Sequence, residues 1–88
     1  MKSIADISKR LSKLSSSLEI ENFLLEILTE SEVETLSKRW RILQMLKNGE
    51  TQRDISKKLN VSLCKVTRGA KILKNNDSMI SKILKEEK

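Results

Sequence analysis

The stretch of residues 50–74 constrains the fold more than any other, because apolar residues recur in it at helical spacing on both sides of a short break. Thr51 can cap a helix, and Asp54 follows at the spacing of a capping box. Asn60 tolerates the left-handed backbone that ends a helix, and Ser62 can cap a second helix. The stretch therefore predicts two short helices joined by a tight turn.

This pair of helices has the spacing of a helix-turn-helix. Ile55 and Leu59 share one face of the first helix, Val61 is an apolar residue in the turn, and the small Ser56 lets the helices cross closely. The outer face of the second helix is polar and basic, with Cys64, Lys65, Arg68 and Lys71. Such a face suits the DNA major groove. The alternative is an ordinary helical hairpin with a solvated basic face.

Positive charge is concentrated around this motif. Residues 37–74 contain eleven basic and two acidic residues, a net charge of +9, whereas residues 1–36 contain four basic and seven acidic residues, a net charge of −3. Concentrated positive charge predicts a polyanionic partner and salt-dependent binding. A membrane surface is a poorer match, because the basic helix lacks bulky aromatic residues on its apolar side.

The composition excludes several other classes. The chain has 88 residues, one cysteine and no histidine, which predicts a single domain without a metal site. No run of residues has the apolar length of a membrane span, and the beginning, MKSIADISKR, lacks the apolar core of a signal peptide. We therefore expect a cytoplasmic location. No nucleophile–base pair or paired carboxylates indicate an enzyme.

The rest of the chain predicts four more helices and hence an all-α fold of six helices. A heptad-like seam predicts a first helix over residues 3–15, and a dense apolar run predicts a second one from Leu18. Thr29 and Glu32 form a capping box for a third, which Gly49 ends, and a last helix starts at Ser78. The apolar faces of the first three helices predict a dimer, with residues 50–74 as a reading head of the same single domain. A compact monomer is the alternative.

Residues 28–74 resemble the tryptophan repressor family. The resemblance lies in LTESEVETLSKRWRILQMLKNGETQRDISKKLNV and, most specifically, in VTRGAKILK. It implies an intertwined all-α homodimer, with a dimerisation core from residues 1–48 and 77–88, that represses transcription by binding a double-stranded operator. It also implies that L-tryptophan acts as corepressor, binding between the head and the core and favouring the DNA-competent state. No other cofactor is expected.

The resemblance also implies a set of ligand-binding residues. Arg39 and Arg68 match the two arginines that sandwich the indole, and Arg68 also the one that holds the carboxylate, since a guanidinium both stacks on a ring and forks onto a carboxylate. Thr29 matches a hydroxyl that assists the carboxylate, and Gly69 allows backbone near the ring. Carbonyl groups near Glu26 and Leu28 would receive the ammonium group. Ile72 completes the predicted pocket.

On the DNA side, Arg53 matches an arginine that reaches a guanine edge, and Gln52 a residue that steadies the backbone or a water molecule. The recognition helix would present further residues to the groove. The complete predicted set is Gln52, Arg53, Ser56, Leu63, Cys64, Lys65, Thr67, Arg68 and Lys71.

Three functions remain open, and Ile72 is a departure from the family pattern that bears on the first of them. Ile72 stands where well-studied members have a serine that bonds the ligand's ammonium, and the loss of such a bond weakens binding by roughly 1.5–3 kcal/mol. The first function is a repressor gated by tryptophan, and the second is a DNA-binding regulator with another effector or none. The third is a helical interaction module whose basic face meets an acidic protein.

Overall fold

The computed structural model describes residues 2–86, which form six α-helices and no strand, so the predicted all-α fold of six helices is confirmed. Of the predicted span 1–88, Met1, Glu87 and Lys88 lie outside the described residues. None of the described helices is long and apolar enough to cross a membrane. The helices are α1 (Lys2–Ser12), α2 (Ser17–Ile27), α3 (Glu30–Lys47), α4 (Gln52–Leu59), α5 (Leu63–Lys74) and α6 (Met79–Glu86).

The chain divides between residues 34 and 35 into two compact units. In the first unit, α1 ends at Ser12, so the prediction that it extends to residue 15 is wrong. Its end tightens, with the N–H of Leu14 bonded to the carbonyl of Leu11 at 3.1 Å. The N–H and hydroxyl of Ser15 both donate to Glu19, each at 2.8 Å. Ser15 therefore belongs to the cap of α2 and not to α1.

Helix α3 begins and ends as the sequence predicts. The Glu32 carboxylate accepts the N–H of Thr29 at 2.8 Å, and the Thr29 hydroxyl accepts the N–H of Glu32 at 3.1 Å. This reciprocal pair is a capping box. At the other end Gly49 has φ +89, a left-handed conformation that glycine adopts without steric cost. The predicted boundaries of α3 are therefore confirmed.

The second unit has an apolar core at the junction of α3, α4 and α5. The buried residues are Ile42 and Met45 of α3, Ile55 of α4 and Val66 of α5, and the side chains of Ile55 and Val66 are completely inaccessible to solvent. Leu46, Leu59 and Val61 pack around them. Helix α6 packs against α5 and buries Leu84. This core holds the two helices of the predicted head in a fixed crossing.

Candidate functional site

Both helices of the predicted head are capped by the residues that the sequence indicated. The Thr51 hydroxyl accepts the N–H of Asp54 at 3.2 Å at the start of α4. The Ser62 hydroxyl accepts the N–H of Lys65 at 3.4 Å at the start of α5. Each cap satisfies a backbone donor that has no partner inside its helix.

The turn between α4 and α5 is closed by local hydrogen bonds. Asn60 has φ 53 and ψ 52, in the predicted left-handed region. The Ser56 hydroxyl donates to the Val61 carbonyl at 2.6 Å, and the N–H of Val61 donates to the Ser56 carbonyl at 3.1 Å. The hydroxyl of Ser56 is thus used inside the turn, and the contact of Ser56 with DNA stays a prediction.

A second bond joins the start of α4 to the middle of α5. The Thr67 hydroxyl lies 2.8 Å from Oε1 of Gln52 and 3.0 Å from the carbonyl oxygen of Leu63. Gln52 and Thr67 are both half-buried. This polar contact thus joins the two helices in addition to the buried pair Ile55 and Val66.

The outward side chains of the head form a basic surface. Residues 64, 68 and 71 of α5 recur at helical spacing on one side, and they line an open groove of about 710 Å³ with Thr67, Ile72, Asn75 and Ser78. Asn75 and Ser78 were not among the predicted site residues, because only the fold brings the turn after α5 beside this face. The predicted residues that the structure leaves exposed are Arg53, Leu63, Cys64, Lys65, Arg68 and Lys71.

One lysine of the head is paired within the chain. Nζ of Lys58 lies 2.7 Å from Oε1 of Glu50, and this hydrogen bond, with the attraction between the charges, raises the pKa of Lys58. The pair joins a residue before α4 to the last turn of that helix, and the two residues are 8 positions apart. Neighbours on a helix surface are only three or four positions apart. Glu50 therefore offsets the charge of Lys58. The cations of α5 are exposed and contribute the positive charge of the basic surface.

An apolar cavity of about 300 Å³ lies between α3 and α5, near the lower limit of typical ligand pockets. Four predicted ligand residues come together in its wall, namely Arg39, Arg68, Gly69 and Ile72. Three of the lining residues are cationic and none is acidic. The complete lining is Arg39, Ile42, Leu43, Cys64, Lys65, Arg68, Gly69 and Ile72.

Gly69 has a packing role that the sequence did not reveal. A Cβ at this position would lie 3.1 Å from Cγ2 of Ile42 and 3.3 Å from Cδ1 of Leu46. The absent side chain thus allows α5 to approach α3 closely. A role of Gly69 toward a bound ring stays a prediction.

The other three predicted ligand residues belong to the first unit. Glu26 lies exposed in the last turn of α2, and Leu28 follows that helix as its C-cap. The Thr29 hydroxyl accepts a hydrogen bond within the capping box of α3. The binding of a ligand by these residues stays a prediction.

The fold of residues 2–86, with six α-helices, and this site define a helix-turn-helix protein. The profile of the family described as Trp repressor protein matches residues 2–88, and the chain belongs to this family. The family is one of regulators and not of enzymes. Within residues 2–86 no group of three or more His, Cys, Asp or Glu residues could hold a metal ion.

Curated relatives agree with this membership. The chain is 41% identical over 70 residues to a Trp operon repressor homolog of Xylella fastidiosa (strain M23), an alignment that covers 78% of this chain and 76% of the relative. It is 34% identical over 79 residues to one of Chlamydia trachomatis serovar L2, covering 84% of each. It is 33% identical over 81 residues to one of Chlamydia caviae, covering 91% of this chain and 80% of the relative. No solved structure matches significantly.

Proposed function

We propose that this repressor-type regulator is a homodimer that binds a double-stranded operator through α5 and is gated by L-tryptophan as corepressor. One observation is central to the proposal: Arg68 belongs both to the basic groove on the outside of α5 and to the wall of the cavity beneath it. A ligand in the cavity and a DNA duplex on the surface would therefore act on the same helix. We place this activity in the cytoplasm.

The exposed cations of the head support binding to DNA. Lys65, Arg68 and Lys71 are exposed on α5, and no carboxylate lines either the cavity or the open groove beside them. These cations can therefore contact phosphates or base edges. Arg53 is exposed in the first turn of α4, where a guanidinium can fork onto a guanine. Together these residues would position α5 in the major groove.

The apolar surface of the first unit supports the homodimer. Helices α1 and α2 contain no buried residue. Two leucines of α2, Leu18 and Leu25, are 63% and 52% exposed. Apolar helices need a cover to be stable in water, and a second copy of the chain supplies the same surface in return. A two-fold dimer would also present two copies of α5 to a pseudo-palindromic site.

The composition of the cavity supports a small effector with a carboxylate and a ring. The guanidinium groups of Arg39 and Arg68 suit both a carboxylate and an aromatic face, while Ile42 and Leu43 provide apolar contact. If the ligand binds the DNA-competent arrangement of α5 better than other arrangements, it raises the population of that arrangement. Operator affinity would then increase with tryptophan concentration.

Calorimetric titration with L-tryptophan, together with operator binding at rising ligand concentration, tests the gate. We expect heat of binding and a tighter complex with DNA. Absence of both would remove tryptophan as the effector and favour a regulator with another ligand or none. The apolar Ile72 in the cavity wall favours this second candidate, so the deaminated analogue of tryptophan should be titrated in parallel.

Substitution of Arg53 tests the DNA-reading assignment. We expect Arg53→Ala to weaken specific binding by about 1–3 kcal/mol and to relax sequence preference at one base pair. Lys13→Ala is the matched control, because Lys13 is an exposed basic residue outside α4 and α5. Unchanged specific binding by Arg53→Ala would show that the assignment of Arg53 as a base-reading residue is wrong.

A further inference from the structure

Two serine hydroxyls tie the end of α5 to α6. Oγ of Ser81 lies 3.1 Å from the carbonyl oxygen of Ile72 and 3.4 Å from that of Leu73. Oγ of Ser78 lies 3.2 Å from the Ile72 oxygen and 2.8 Å from Oγ of Ser81. The last carbonyls of a helix have no partner in its regular hydrogen-bond pattern. That of Ile72 accepts the N–H of Asn75 at 3.2 Å, and side chains at the start of α6 offer it a further donor. We name this pair of side chains the serine clasp.

The serine clasp donates at least one hydrogen bond to a backbone carbonyl of α5, as the number of hydroxyl protons requires. Each hydroxyl has a single proton, and the Ser78 oxygen also accepts the N–H of Ser81 at 3.0 Å. If the Ser78 hydroxyl donates to Oγ of Ser81, the Ser81 hydroxyl donates to a carbonyl of α5. If the Ser81 hydroxyl donates to Oγ of Ser78 instead, the Ser78 hydroxyl donates to the carbonyl of Ile72. At least one hydroxyl proton therefore bonds the backbone of α5 in every arrangement.

The hydroxyl of Ser81 is buried and is not needed to cap α6. Ser81 is 4% exposed and is the one buried polar or charged side chain among residues 2–86. Capping of α6 requires only the oxygen of Ser78, and an alanine at position 81 would fill most of the same space. The hydroxyl of Ser81 thus serves a bond between two helices, in a place where an unsatisfied polar group would be costly.

The opposite side of α6 is apolar and open. Met79 is 75% exposed and Ile83 is 40% exposed, whereas Leu84, on the inner side, is 2% exposed. In the homodimer proposed above, this open side would be available to the second copy. Helix α6 would then connect the dimer to the recognition helix, with the serine clasp at the joint.

We propose that the serine clasp sets the angle at which α5 leaves α6, and that Ser81 is a positioning residue for simultaneous binding of two operator half-sites. This inference rests on the proposed function. Helix α5 has 12 residues, a length of about 18 Å, so a tilt of roughly 10° would displace its far end by about 3 Å. Such a displacement exceeds the tolerance of a hydrogen bond to a base edge.

The test begins with selection of an operator from a random duplex library by the wild-type protein. Affinity is then measured on that operator and on a copy with one additional base pair between the half-sites. The variants are Ser81→Ala, which removes the hydroxyl, and Ser81→Thr, which retains it. The control is Ser8→Ala, because the Ser8 hydroxyl bonds the carbonyl of Ile4 at 2.8 Å within a single helix.

We expect Ser81→Ala to lose roughly three- to tenfold in affinity on the selected operator, as for a lost hydrogen bond, and far less on the respaced copy. Discrimination between the two spacings should therefore fall, Ser81→Thr should restore it, and Ser8→Ala should leave it unchanged. Unchanged discrimination in Ser81→Ala would overturn the inference alone. Equal losses on both duplexes with a lower melting temperature would also overturn it, since the role would be structural. Failure of the wild type to select any duplex would overturn the proposed function as well.

Discussion

The two units of the chain differ in how they treat their apolar residues. In residues 2–34, helices α1 and α2 bury no side chain. In residues 35–86, Ile55 and Val66 are completely buried. The apolar residues of α4 and α5 lie in one stripe each and can meet across a single crossing, whereas those of α2 surround the helix and need more than one neighbour. The second unit therefore closes a core of its own, whereas the first unit exposes apolar side chains.

The largest effect should come from the closed core. We expect Ile55→Ala to lower the free energy of unfolding by about 2–5 kcal/mol, through lost burial and the cavity left behind. Leu63→Ala is the control, because Leu63 is 47% exposed, and it should change stability by about 0.5 kcal/mol or less. Urea denaturation of both variants measures the difference. Equal losses would contradict the presence of a closed core around Ile55 in the second unit.

The next effect concerns the open surface of the first unit. Leu25 is 52% exposed, and a two-fold dimer would bury it twice, so Leu25→Ala should weaken self-association by about 1.5–3 kcal/mol, or roughly ten- to a hundredfold in Kd. Sedimentation equilibrium across a dilution series measures this change. Glu21→Ala, a substitution of an exposed polar residue of the same helix, is the control. A wild-type protein that is monomeric throughout would remove the proposed dimer.

A smaller effect is expected at Gly69, where the second unit is tightly packed. Replacing a mid-helix glycine by alanine gains about 0.5–1 kcal/mol, but the new Cβ would lie 3.1 Å from Ile42, which also lines the cavity. We expect Gly69→Ala to change stability by less than about 1 kcal/mol and to weaken tryptophan binding by calorimetry. At Gly49 a Cβ would meet no atom within 4 Å, but the residue has φ +89, which side chains rarely adopt. Gly49→Ala should therefore lose about 1–2 kcal/mol of stability without changing the cavity. Unaltered ligand binding by Gly69→Ala would show that the cavity is not the effector site.

The smallest effect should appear at the cap of α2. Hydrogen bonds from the N–H and then the hydroxyl of Ser15 lower the pKa of Glu19, so the folded state favours the charged carboxylate. The contribution of Glu19 to the stability of the fold is complete above its ordinary pKa of 4.5. It is lost as the pH falls through the lowered pKa of Glu19 in the folded state. Thermal unfolding between pH 7 and pH 3 should therefore show a steeper loss in the wild type than in Glu19→Gln. Parallel curves would argue against this cap.

The helix ends were predictable where their signals are local. The capping box of Thr29 and Glu32, the cap at Thr51 and the left-handed Asn60 each involve residues within four positions of one another, and such bonds form wherever the backbone turns. The end of α1 was predicted three residues too late, because Ser15 is held by Glu19 of the following helix. The residues of the cavity wall were predicted only through resemblance to a family.

The helices of residues 2–86, the tight turn and the concentration of positive charge can be read from the sequence, because periodicity, caps and charge are properties of neighbouring residues. The packing of the helices is needed to see that Arg68 borders both the groove and the cavity, that Glu50 pairs with Lys58, and that Ser81 bonds the carbonyls of α5. The two hydrogen-bonded contacts join residues 8 and 9 positions apart, and the cavity wall combines residues of α3 and α5. Their geometry depends on how whole helices cross, and no local spacing specifies it.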